Sequence, residues 1–405
     1  MGPADPKPSV QHPVQRRNER APMQYRRFGR TNRALSVITL GGMRYHNGWA
    51  EPHDRVHPEM IDECRDSVRR ALDIGINHIE TAYGYGKSEH CLGIVLNQEL
   101  SVPRDSYFFM TKGAPVDADA THRRIEEQLR ALRLDHIDLY AWHGINSAER
   151  LKIALAKGGP VEVLKRYQEQ GVIGTVGFST HADFRTICEA VSSNLFDFMN
   201  LHYYYFYQRN WGAILLANAL DMGVFIISPN DKGGQLFNAP PLLRSLTAPL
   251  TPIQFNARFC LSSPLVHTLS FGMHRPEHFA EMRGVLPASI PLSKQEQQIL
   301  ERLDARLSVD PLSRYDGYEL DGDPSGIHIA EVLRFRRMWK CYDMLDFGRY
   351  RYNMFSPGNH WFGGEFATAD NVAKVDTRRV PEGIPLTDML TEAHQAFFVP
   401  KDEAS

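Results

Sequence analysis

Ile76-Asn77-His78-Ile79-Glu80-Thr81-Ala82-Tyr83-Gly84-Tyr85-Gly86-Lys87-Ser88-Glu89 begins as an apolar strand, breaks at two glycines and restarts as a helix near Lys87. Polar, titratable residues therefore collect where a strand hands over to a helix, the place where parallel α/β proteins do chemistry. Glu80 stands at the strand end and Tyr85 follows in the loop. The ends of the next two apolar runs carry Lys112 and His143. Taken singly, a rim lysine or a loop histidine is an ordinary surface residue. In consecutive units and in this order, the four read as one site.

The text around this stretch repeats its pattern. Short apolar runs at Ser36–Leu40, Ile76–Glu80, Tyr107–Lys112, Ile137–Trp142, Val172–Phe178, Phe196–Leu201, Val224–Ser228 and Val266–Ser270 alternate with segments of 3.6-residue spacing. Those segments are Pro58–Asp73, Ser88–Leu100, Thr121–Arg133, Gly159–Gln170, Ala182–Ser192, Trp211–Met222, Pro252–Leu261 and Pro276–Leu286. Met23–Arg30 reads as a lead-in strand turning at Gly29. Gly75, Gly171 and Gly223 sit between a helix and the next strand, where a left-handed residue is expected. Eight strand–helix units over about 250 residues predict an α/β protein with a (β/α)₈ barrel. An open doubly wound sheet is the runner-up, but Leu40-Gly41-Gly42-Met43 is a poor match to its glycine-rich first turn. The organisation expected is a disordered tail over 1–22, the barrel over 23–290, and a mostly helical or irregular extension over 291–405 packing on it. In that extension, helices are predicted at 292–307, 327–345 and 388–398.

Composition narrows the function. Apolar residues make up 42% of the chain, enough for a large core, and the net charge of −2 supplies no strong field for nucleic acid or a membrane surface. No run of 18 apolar residues is present. The Pro-rich, arginine-bearing start lacks an apolar core segment, so it does not read as a secretory signal. The five cysteines are widely spaced with no Cys-x-x-Cys pair, a pattern of reduced thiols in a cytoplasmic protein without a disulfide frame or metal site.

The motifs Met23-Gln-Tyr-Arg-Arg-Phe-Gly-Arg-Thr-Asn, Leu40-Gly-Gly-Met, Gly75-Ile-Asn-His-Ile-Glu-Thr-Ala, Tyr85-Gly, Ser88-Glu, Thr111-Lys112, Asp138-Leu-Tyr, His143 and Val176-Gly-Phe-Ser179 together resemble the aldo-keto reductase superfamily. The resemblance spans residues 23 to about 286. It implies NADP(H) as cofactor and a small carbonyl or alcohol as substrate, with no nucleic-acid or membrane partner. It also implies Tyr85, Lys112 and His143 as catalytic residues, with Glu80 where the family has aspartate. A free phenol has a pKa of ~10, and an adjacent ammonium is expected to lower it, while the carboxylate holds the lysine and the histidine orients the carbonyl.

For the cofactor the resemblance implies Gly42 and Met43 at the first strand end, Ser179 and Thr180 (in place of the usual asparagine), and Asn200 at the carboxamide. Ser228 and Lys232 fall on the pyrophosphate loop, and Ser270, Gly272, Arg275 and Glu281 around the adenosine end. Ile227 stands where an aromatic ring usually stacks on the nicotinamide. Residues from Asp323 onward resemble the tail of a ferredoxin-like branch. With Cys341 the lone cysteine there, the ligands of an iron–sulfur cluster are missing. The function expected is reduction of an aldehyde, ketone or sugar, or the reverse reaction. The alternative is a weakly active or non-catalytic nicotinamide-binding regulatory subunit. Substrate identity and oligomeric state are not legible.

Overall fold

Alternating apolar runs and amphipathic segments close into a barrel. The computed structural model describes residues 23–45 and 51–400, so the expectation for residues 1–22 lies outside the described residues. The strands are β1 (Ile38–Gly41), β2 (His78–Glu80), β3 (Phe108–Gly113), β4 (Ile137–Trp142), β5 (Ile173–Ser179), β6 (Phe198–Leu201), β7 (Gly223–Ile227) and β8 (Thr268–Phe271). They form a closed barrel in chain order, with β8 returning to β1 and all neighbours parallel. Every residue of β2, β3 and β4 is buried, because helices cover one face and packed side chains fill the other.

The helices are α1 (Pro58–Asp73), α2 (Ser88–Ile94, continued by a π turn at Val95–Glu99), α3 (Ala118–Leu132), α4 (Ala148–Ala154), α5 (Pro160–Glu169), α6 (Phe184–Ser192), α7 (Trp211–Ala219), α8 (Pro241–Thr247), α9 (Pro252–Leu261) and α10 (Pro276–Arg283). In α1, proline occupies the first turn and Met60, Cys64, Val68 and Ala71 are buried, the three-to-four spacing of a helix with one apolar face. Gly75 and Gly171 adopt the expected left-handed conformation. Gly223 does not: Asp221 takes the positive φ, and glycine is needed at 223 because a Cβ there would stand 2.7 Å from the Phe28 ring.

The lead-in is a hairpin, Tyr25–Arg27 paired antiparallel with Ala34–Ser36. It brings Phe28 and Leu35 into one core cluster with Phe108, Met110, Leu139, Ala141, Phe198 and Phe225.

The chain divides into two compact units. The first holds the residues through Tyr203, Asn210–Pro229 and Cys260–Pro291; the second holds Tyr204–Arg209, Asn230–Phe259 and the residues from Leu292 onward. The second unit is built on α11 (Lys294–Arg306), α12 (Ile329–Tyr342), α13 (Leu345–Tyr352), α14 (Ala369–Val372) and α15 (Leu386–Phe397). A capping box between Ser293 and Glu296 starts α11. α12 is buried on most sides, and its arginines are paired. Arg334 binds Glu331 and Asp231 at 3.1 Å each, Arg336 binds Asp310 and Glu392, and Arg337 lies 2.6 Å from Asp316. The aromatic residues Tyr204 to Tyr207 are buried in this unit.

Candidate active site

Strand register assembles the polar strand ends at one rim. Gly41 pairs with Glu80, Glu80 with Met110, Lys112 with Ala141, and Ser179 with Asn200. Lys112 and Glu80 are fully buried and form an ion pair, and the Lys112 Nζ also donates to the Thr81 carbonyl at 2.8 Å. The second Glu80 oxygen, Oε1, accepts from Ser270 Oγ at 2.8 Å. Ser270, placed by resemblance near the adenosine phosphate, thus serves the carboxylate, and the longer glutamate side chain is held at both oxygens. The glycines before it have a steric reason: a Cβ on Gly41 would stand 2.7 Å from Ser270 Oγ, and one on Gly42 would stand 2.7 Å from Ser88 Oγ.

Tyr85 is half-buried over this pair, with Lys112 Nζ 4.8 Å from its ring centroid. His143 meets the Tyr85 ring edge-on, centroids 5.8 Å apart and planes at 82°. The four residues expected from sequence therefore stand together. The expected lowering of the phenol pKa does not. Tyr85 is held well above the ordinary tyrosine value, first by burial and then by the Glu80 carboxylate. Burial outweighs the lysine ammonium, whose charge is already matched by Glu80.

Arg150 supports the histidine from behind. It donates from Nε to the Gly144 carbonyl at 2.5 Å and from Nη2 to the His143 carbonyl at 3.3 Å, and lies 4.8 Å over the Trp142 ring. A second buried network lies beside Lys112. Glu89 Oε1 accepts from Thr111 Oγ1 at 2.5 Å and from Gln128 Nε2 at 2.6 Å, while Gln128 also donates to the Lys112 carbonyl at 3.1 Å. Burial pushes the Glu89 carboxyl up to about 7. Sequence reasoning missed Arg150, Gln128 and this role of Glu89; the Ser88-Glu89 pair read as a helix start.

The cofactor candidates separate by how their polar atoms are engaged. Asn200 is buried, and neither its Nδ2 nor its Oδ1 has a hydrogen-bond partner among the described residues. Next to it Ser179 Oγ accepts from the Gly144 N–H at 3.0 Å. Thr180 spends its hydroxyl on the Ile145 carbonyl at 2.6 Å and the Ala182 N–H at 3.0 Å, so it ties two loops together. Ser228 follows β7 with a φ of 51°. Lys232 begins a 3₁₀ turn, Lys232–Asn238, in the second unit. Met43 is 46% exposed at the end of β1.

Arg275 caps α10 and approaches His278 Nε2 at 3.2 Å, and Glu281 lies one turn further on. Gly272 leaves room for Arg44, whose Cγ would be 3.2 Å from a Cβ there. Arg44 and Arg275 both depress the His274 pKa, after burial. Arg44 is a cation beside the α10 start that the sequence reading did not single out.

Comparisons with known proteins agree with the barrel fold. Residues 37–229 match the model of the Aldo/keto reductase family. L-galactose dehydrogenase of Arabidopsis thaliana is 29% identical over 164 residues, 38% of this chain and 49% of that protein. A methylglyoxal reductase of Escherichia coli (strain K12) is 28% identical over 210 residues, 51% of this chain and 73% of that protein. The match thus spans about half the length of the first of these relatives and about three quarters of the second. Among solved structures, an aldo-keto reductase from Klebsiella pneumoniae in complex with NADPH superposes with a TM-score of 0.53 at 20% identity, covering 69% of this chain and 95% of its own. That likeness carries the fold. With the motif residues at one barrel rim, residues 37–229 of this chain are similar to the Aldo/keto reductase family.

Proposed function

We propose that the chain is an NADP(H)-dependent oxidoreductase that reduces the carbonyl of a small aldehyde, ketone or sugar to an alcohol, or runs the reverse reaction. The observation that carries this reading is the contact of a neutral, half-buried phenol with a matched lysine–carboxylate pair and a histidine ring edge. A bound nicotinamide supplies the hydride. The buried Asn200 amide fits such a group, since its unfilled donor and acceptor complement a carboxamide edge. Tyr85 then delivers the proton to the carbonyl oxygen, and its raised pKa keeps that proton in place up to alkaline pH. Lys112 and Glu80 hold the phenol without adding net charge. His143 orients the carbonyl oxygen beside the phenol. Arg275, Arg44 and the start of α10 form a cationic corner suited to a phosphate.

The names of the relatives, a galactose dehydrogenase and a methylglyoxal reductase, support the small-carbonyl class. Turnover of a panel of sugars, aldehydes and quinones with NADPH tests the reading. Tyr85→Phe is expected to lower turnover by about 10²–10⁴ with cofactor binding little changed. Unchanged turnover in Tyr85→Phe refutes the assignment. Cofactor binding without turnover of any carbonyl instead establishes the regulatory-subunit reading.

A further inference from the structure

The second unit contains a cavity of about 150 Å³ between α12, the end of α11 and the segment Tyr205–Arg209. None of its lining residues belongs to the Tyr85–Lys112–His143 group. At its wall lies Arg209, whose side chain is only 7% exposed. Its Nη2 donates to Asp321 at 2.7 Å, but its buried Nε and Nη1 have no hydrogen-bond partner among the described residues. Guanidinium is always charged, and burying its N–H groups without acceptors is unfavourable. Arg209 lines the cavity, and an occupant that accepted from these donors would relieve that cost.

The surrounding charges define that occupant. Glu331 and Asp316 both act on Arg209 electrostatically without hydrogen-bonding to it. Each is already held by another arginine, Glu331 by Arg334 at 3.1 Å and Asp316 by Arg337 at 2.6 Å. Asp304 accepts from the Tyr205 hydroxyl at 2.9 Å. Three arginines and three carboxylates line the cavity, so their formal charges cancel. An anion bound to Arg209 would face Glu331 and Asp316, and a cation would face the guanidinium groups. Hydroxyl groups meet both demands, since each accepts from an N–H and donates to a carboxylate lone pair. Tyr205 and Tyr207 add aromatic surface for the C–H side of such a molecule.

We propose that this cavity is a binding site for a small neutral polyol of single-sugar-ring size, anchored by Arg209. The proposal stands whether or not the barrel reduces a carbonyl.

Calorimetric titration of the full chain with D-glucose, xylitol and myo-inositol tests it, with acetate and benzoate as the anionic arm. Calorimetry is preferred to thermal shifts because sugars stabilise proteins generally by exclusion from their surface. Saturable binding of at least one polyol and none of the carboxylates is expected. Arg209→Met, which removes the donors, is expected to weaken that binding at least about tenfold. Ala330→Leu fills the cavity from α12 while leaving Arg209 intact, so it decides the matter if Arg209→Met fails to fold. Absence of binding by all three polyols, binding of a carboxylate instead, or undiminished polyol binding in the variants overturns the proposal.

Discussion

Replacing Glu80 by glutamine removes one charge from the rim and tests what the buried pair does for Tyr85. Lys112 would keep its Thr81 carbonyl contact but lose its counter-charge. Its ammonium lies 4.8 Å from the Tyr85 ring centroid. At an effective dielectric constant of ~20, unit charges at that separation interact by about 3.5 kcal/mol, equivalent to about 2.5 pH units. The carboxylate that raises the phenol pKa is lost at the same time. The assay is the pH profile of kcat for carbonyl reduction with NADPH. The native protein should be flat between about pH 6 and 9, because the phenol keeps its proton there. In Glu80→Gln the alkaline fall should move to lower pH, by on the order of 2.5 pH units, because the opposing carboxylate is gone. Glu80→Asp keeps the charge, though with about 1.5 Å less reach, and should retain the flat profile. The unmatched, buried Lys112 should also cost about 3–5 kcal/mol of stability, read by thermal unfolding. A folded Glu80→Gln protein with the native profile would refute the account.

Three further outcomes are expected. Asn200→Ala should weaken NADPH binding by roughly 5–150-fold through loss of a buried amide pair, measured by fluorescence titration; unaltered affinity would remove Asn200 from the cofactor site. Arg275→Ala should weaken NADPH more than NADH, whereas equal losses would detach it from the 2′-phosphate. Glu89, raised from 4.5 to about 7 in the folded chain, favours folding in its protonated form. Its contribution is full below about pH 4.5 and is lost as pH rises through about 7. Glu89→Gln should therefore gain on the native protein across that window, by up to about 3 kcal/mol; denaturant unfolding at pH 5 and pH 8 with a constant difference would contradict this.

The barrel was legible because apolar runs alternate with helix-period segments eight times, and α1 agrees with its sequence reading at both ends. The seven-residue helices α4 and α8 escaped notice, since fewer than two turns hardly display a period. The grouping of Glu80, Tyr85, Lys112 and His143 followed from consecutive strand ends. The partner of Glu80 did not. Ser270 lies 190 positions away and reaches the carboxylate only because β8 closes on β1. The polar layer of Thr39, His78 and Thr268 inside the barrel is hidden for the same reason. The direction of the Tyr85 shift depends on burial and on the pairing of Lys112, and neither is written in residue spacing.

The hairpin at the chain start bears on how the protein is made. Arg27 grips the carboxylate of Asp221 with both terminal nitrogens, at 2.7 and 2.6 Å, across a separation of 194 residues. Arg26 reaches the Leu261 carbonyl, 235 residues away. A ribosome adding 5–20 residues per second needs roughly 10–40 s to travel from Arg27 to Asp221. During that interval Phe28 and Leu35 have no β6 or β7 side chains to pack against. The hairpin can complete its packing and its ion pair only once β6 and β7 have emerged, so its final docking is a late event in biosynthesis.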